Sequence, residues 1–115
     1  MYVLKDKTAV IIGGSKGLGK GIAYCLAGAG ANVVIVSRNQ DQLDATDKEI
    51  SEKTGAKVIA ISADIKSLKG INSLIEKIAE EFNHIDILIN GAGINIRKVI
   101  LTLQKKIGMQ YKMSN

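Results

Sequence analysis

The sequence predicts an α/β fold, a partial doubly wound parallel sheet of strand order 3-2-1-4 with helices on both faces and later strands absent. Three observations lead there. Four short apolar runs alternate with three helical patterns, the arrangement of right-handed crossovers around a parallel sheet. The first run is β-branched (Val10, Ile11, Ile12) with no polar alternation, as in a strand buried on both faces. A glycine-rich turn joins that run directly to a helical pattern.

The elements follow in order. The first strand is expected over Thr8–Ile12. The first helix, at about 17–29, carries Ile22, Ala23, Leu26 and Ala27 on one face, and Gly30 stands where a C-cap belongs. The second strand, Asn32–Ser37, leads to Asn39, which forms a capping box with Gln42 and opens a helix at about 40–54. Gly55 closes that helix, and Asp41, Asp44, Asp47 and Glu49 read as its solvated face. A third strand, Lys57–Ser62, precedes a helix at about 67–82 whose Ile71, Leu74, Ile75, Ile78, Ala79 and Phe82 form one apolar face. The fourth strand is expected over Ile85–Asn90. The crossover rule puts the first two helices on one sheet face and the third on the other, leaving part of the second face apolar and uncovered.

Composition narrows the function classes. At 115 residues the chain is one small domain with enough apolar residues for a core. No apolar run approaches the ~20 residues of a membrane span, and the N-terminus lacks the apolar region of a signal peptide. Cys25 is alone, a small residue of the first helix, so a cytoplasmic, reducing setting is expected. No cluster has metal-ligand spacing, and no metal site is expected. The net charge of +5 suggests nucleic acid at first sight. Its distribution argues otherwise: Arg97, Lys98, Lys105, Lys106 and Lys112 account for all of it, leaving residues 1–96 neutral, and Tyr111 is that tail's only aromatic.

The chemistry lies at the strand ends. Strand, glycine turn and helix start form the geometry that holds a dinucleotide pyrophosphate: N–H groups at the helix N-terminus face the phosphates, and absent side chains let the backbone approach. The spacing is Gly13-x-x-x-Gly17-x-Gly19, not the general G-x-G-x-x-G. At the end of the second strand an acidic residue would bind a ribose 2′-hydroxyl and repel a 2′-phosphate; here stand Ser37 and Arg38. A guanidinium grips a phosphate through two N–H donors, and Lys16 in the turn adds a second positive charge. NADP is therefore favoured over NAD, the alternative being two ordinary surface cations.

These residues resemble the N-terminal half of a short-chain dehydrogenase/reductase, a Rossmann-type family. Gly13-Gly14-Ser15-Lys16-Gly17-Leu18-Gly19 is similar to the family's T-G-x-x-x-G-x-G turn, with Ile12 in place of the threonine. Ala63-Asp64-Ile65 is similar to the family's Asp-Val/Ile pair after the third strand, and the resemblance implies that Asp64 and Ile65 contact adenine; Asp64 taken alone reads as a strand-end hydrogen-bonding group. Asn90-Gly91-Ala92-Gly93 is similar to N-N-A-G, with Gly91 in place of the second asparagine, and implies that Asn90, Ala92 and Gly93 support the sheet along the cofactor. The likeness covers about residues 5–98, a dinucleotide-binding half-domain over 1–98 followed by a basic tail over 99–115 expected to lie outside the family pattern. His84 has no acid or nucleophile beside it in this reading and is expected in the loop before the fourth strand.

The resemblance implies NADP-dependent hydride transfer between carbonyl and alcohol, with full-length relatives forming homo-oligomers; the alternatives are a non-catalytic NADP-binding module and a truncated product without function. The family's serine, Tyr-x-x-x-Lys and helical asparagine come later in family order. Tyr111 is followed by Lys112, Met113, Ser114 and Asn115, so no catalytic residue is assigned. Asn95-Ile96-Arg97-Lys98 hints at a sugar-acid or polyol reductase. Family character persists through Leu103 and then stops. Joining the last base of each codon from Leu103 to Gln110 to the first two bases of the next permits T-E-E-D-W-D-A-V, similar to the family's continuation. A frameshift at about Leu103–Gln104 is thus expected, the alternative being a coding sequence that ends here. Such a half-domain is expected to be prone to aggregation, its fourth strand being an unpaired edge.

Overall fold

The computed structural model describes residues 3–13, 17–91 and 101. Its elements are β1 (Thr8–Ile12), α1 (Gly17–Gly28), β2 (Asn32–Ser37), α2 (Gln40–Thr54), β3 (Val58–Ser62), α3 (Leu68–Glu81) and β4 (Ile87–Asn90). The four strands form one sheet in the order β3-β2-β1-β4, and every neighbouring pair is parallel. This is the doubly wound, Rossmann-like arrangement expected from the sequence. The register aligns Ile12 with Val36 on one side and with Asn90 on the other, and Ser37 with Ser62. All four carboxyl ends therefore emerge at the same edge of the sheet.

Two cores sandwich the sheet. Ile11, Val33 and Ile35 pack with Ala23 and Ala27 of α1 and with Leu43 and Ile50 of α2. On the opposite face Val10, Ile12, Val34 and Val36 pack with Ile71, Leu74, Ile75 and Ile78 of α3. The crossover rule placed the helices correctly. Every residue of β1 is buried, as both faces of a central parallel strand require. Burying each isoleucine contributes about 1.5–3 kcal/mol relative to leaving it in water. At the periphery Ile59, Ala63, Ile65 and Leu88 are only partly buried against the α3 core. Among the described residues the exposed large apolar ones are Val3, Leu18, Leu68 and Leu101, all outside the strands, so the sheet face expected to expose an apolar patch shows only partial exposure of peripheral residues.

Caps set the helix bounds. The Asn39 side chain accepts the Gln42 amide at 3.1 Å, and Gly55 ends α2 in the left-handed region at φ 72° with its N–H on the Ser51 carbonyl. The Ser67 hydroxyl accepts the Gly70 amide at 3.0 Å and opens α3. The acidic face of α2 departs from expectation: Asp41 and Asp44 are exposed, but Glu49 pairs with Lys20 of α1 at 2.6 Å. Cys25 lies in α1 and is exposed, outside both cores.

One reading needs correction. His84 does have an acid beside it: its Nε2 lies 3.0 Å from Asp86 Oδ2 and 3.2 Å from the Asp6 carbonyl. The chain bends at Asn83 after α3, and β4 begins at Ile87 rather than Ile85. Asp86 also accepts the Thr8 amide at 2.9 Å. This cluster lies at the amino ends of β1 and β4, opposite the strand ends discussed next.

Candidate functional site

The carboxyl edge of the sheet gathers the sequence-singled residues. Gly13 leaves β1 at φ 84°, a conformation that favours glycine, while its N–H donates to the Val36 carbonyl at 2.6 Å. Gly17 opens α1, also with positive φ, followed by exposed Leu18 and buried Gly19. The N-terminus of α1 thus stands at this edge of the sheet, just past the glycine turn. Ser15 and Lys16 lie outside the described residues, as do Ala92 and Gly93.

The ends of β2 and β3 are tied together. The Ala63 amide donates to the Ser37 carbonyl at 3.0 Å, and the Ser62 hydroxyl donates to the Arg38 carbonyl at 3.3 Å. Ser37 Oγ accepts the Asn39 amide at 3.2 Å, turning the chain into α2. After β3, the Asp64 carboxylate accepts the Lys66 amide at 3.0 Å. It therefore caps its own turn, one oxygen remaining available.

Between these ends lies a cavity of about 310 Å³ lined by Gly13, Val36, Ser37, Arg38, Ala63, Asp64, Ile65 and Lys66. The size is that of a small-molecule pocket. Gly13, Ser37, Arg38, Asp64 and Ile65 were singled out from the sequence, and the structure brings all five around one cavity. Lys66 was not: its one signal is its place two residues after Asp64, where the Asx turn aims the chain along the cavity. Among the described residues no carboxylate forms an ion pair with the Arg38 guanidinium.

On the β4 side, Asn90 is exposed at the strand end and the Gly91 amide donates to the Ile12 carbonyl at 2.7 Å. A Cβ at Gly91 would stand 3.0 Å from that carbonyl oxygen and 3.7 Å from Gly19 Cα. The end of β4 thus lies close against the glycine turn. A helix N-terminus and a cavity lined by two cations suit an elongated anionic ligand, and the residues present fit a dinucleotide.

Comparison with known proteins decides the family. A model described as short chain dehydrogenase matches residues 7–113, a span that runs past Lys98 into the basic tail. The chain belongs to the short-chain dehydrogenase family. An uncharacterized oxidoreductase of Staphylococcus saprophyticus is 37% identical over 100 residues, which cover 87% of this chain and 43% of the relative. A 3-oxoacyl-(acyl-carrier-protein) reductase of Chlamydia muridarum is 32% identical over 104 residues, covering 90% of this chain and 42% of the relative. Among solved structures, L-sorbose reductase from Gluconobacter frateurii, complexed with NADPH and L-sorbose, superposes with a TM-score of 0.76 at 34% identity. That match covers 81% of this chain and 35% of the reductase. The chain spans about two-fifths of the length of the curated relatives it matches. Among the described residues, no helix is long and apolar enough to cross a membrane.

Proposed function

We propose that this chain is the dinucleotide-binding half of a short-chain carbonyl or alcohol oxidoreductase and that it takes NADP in preference to NAD. One observation carries the preference: Ser37 and Arg38 occupy the end of β2 on the cavity wall, where an acidic residue would repel a 2′-phosphate. Arg38 grips the 2′-phosphate through paired N–H donors, and Lys66 adds a second cation to that wall. Asp64 and Ile65 flank the adenine. The pyrophosphate lies on the turn through Gly13, Ser15, Lys16, Gly17, Leu18 and Gly19, with α1 aimed at it. Asn90, Ala92 and Gly93 run beside the nicotinamide end. The bound cofactor supplies the hydride, and all these roles fall within residues 1–98.

A second reading, a binding module without turnover, is favoured by one fact: no Tyr-x-x-x-Lys occurs in these 115 residues. Protonation of a carbonyl oxygen in the manner of the family then needs groups supplied from elsewhere. Fluorescence titration with NADPH and NADH tests both readings. Saturable NADPH binding, with NADH weaker by about tenfold or more, is expected from the value of a charge-assisted phosphate contact. NADPH oxidation on adding carbonyl substrates to the chain alone would sink the second reading. Failure to bind either nucleotide would sink both.

A further inference from the structure

The glycine at position 70 has no conformational reason to be there. It sits inside the first turn of α3, where glycine is a poor helix former, and its φ is not positive. What it has is a neighbour. A Cβ at Gly70 would fall onto the Asp64 carbonyl oxygen, with the carbonyl carbon at 2.8 Å and Ser67 Oγ at 3.0 Å. The first two are backbone atoms, which cannot rotate aside. The same turn is knit by hydrogen bonds: Ser67 Oγ accepts the Gly70 amide at 3.0 Å and donates to the Asp64 carbonyl at 3.4 Å, while Asp64 Oδ1 accepts the Lys66 amide at 3.0 Å. Residues 63–66 are one wall of the cavity beside Arg38; Gly70 does not line it.

We infer that Gly70 is a positioning residue: its missing side chain lets α3 close onto the Asp64 carbonyl and sets the 63–66 wall of the cofactor cavity. The inference deepens the reading of that cavity as an adenosine-phosphate site. Two parts meet at this contact and are anchored unequally, since Ala63 and Ile65 of the wall are only partly buried against the α3 core. The helix is held from below by Ile71, Leu74 and Ile75, all buried in the core. Asp64 and Lys66 are exposed. A methyl group at position 70 therefore moves the wall rather than the helix, shifting Asp64, Ile65 and Lys66 without touching a ligand.

The test compares Gly70→Ala with Gly21→Ala, a matched change on α1 at a position with open space around it. Both variants gain helix propensity, so an effect through propensity alone predicts the same result for both. Gly70→Ala is expected to weaken NADPH binding by about tenfold or more, because the methyl group falls onto backbone and can be accommodated only by displacing the wall. It is also expected to move the backbone amide resonances of residues 64–66; Gly21→Ala does neither. Unchanged binding and unchanged resonances in Gly70→Ala overturn the inference. So does an unfolded Gly70→Ala, because the exposed turn is then not the part that yields. If the wild-type chain binds no NADPH, the cofactor reading falls, and the amide shifts alone decide whether Gly70 positions the turn.

Discussion

Thr8 begins β1 with its side chain fully buried, and its Oγ1 finds no hydrogen-bond partner there. Its backbone is well served: the amide donates to Asp86 and the carbonyl accepts the Asp86 amide at 2.8 Å. A buried hydroxyl without a partner forfeits its hydration, whereas valine fills the same shape without that cost. Thr8→Val is expected to be neutral or to stabilise the chain by up to about 1 kcal/mol, read from urea midpoints. A loss larger than that would mean the hydroxyl is satisfied in solution. Single residues also show what the sequence conveyed. Arg38 was legible because its place at a strand end fixes its direction. Lys66 and Gly70 were not, because their roles come from a contact between the turn after β3 and the first turn of α3. His84 and Asp86 stand two apart in sequence, but both precede β4, which begins at Ile87, two residues later than the spacing predicts.

Between elements, the firmest polar tie is Lys20 of α1 to Glu49 of α2, with Lys53 at 4.0 Å from the other carboxylate oxygen. The Lys20 hydrogen bond, then its charge, holds the Glu49 carboxyl below the usual carboxylate range. A pKa lowered by folding stabilises the native state above the unfolded value, and that gain disappears as pH falls through the folded one. Asp47 runs the other way: burial, then the neighbouring Asp44, raises it, which opposes folding at neutral pH. Glu49→Gln should therefore lower the urea midpoint modestly at neutral pH and not at all below the carboxylate range. Asp47→Asn should raise the neutral midpoint. Equal effects of Glu49→Gln at both pH values would contradict the linkage. Helices were legible almost to the residue, because Asn39, Gly55 and the apolar spacing of α3 act locally. The partners of Glu49 were not, since an acidic run on a helix does not reveal which neighbouring helix crosses it.

Across the whole molecule the sheet is asymmetric. β1 and β2 are enclosed, while β3 and β4 form the edges, and among the described residues β4 has a strand neighbour on one side only. Ile87, Leu88 and Ile89 are half-buried there. Leu88 and Ile89 pack against opposite cores, whereas Ile87 belongs to neither. An edge strand with apolar flanks pairs readily with another chain. Self-association that grows with concentration is expected by light scattering. Ile87→Lys should suppress it at a stability cost of about 1 kcal/mol, the value of a half-buried aliphatic group. Unchanged scattering in that variant would place the association elsewhere.

The same asymmetry locates the ligand. The strand order reverses between β1 and β4, and the glycine turn, Arg38 and Asp64 all stand at the carboxyl edge above it. The most direct test of that assignment is the ratio of NADPH to NADH affinity, measured by equilibrium titration for the wild-type chain and for Arg38→Ala. The wild-type chain should favour NADPH by about tenfold or more, and Arg38→Ala should lose most of that preference through weaker NADPH binding alone. A preference that survives Arg38→Ala unchanged, or a wild-type chain that binds neither nucleotide, would contradict it.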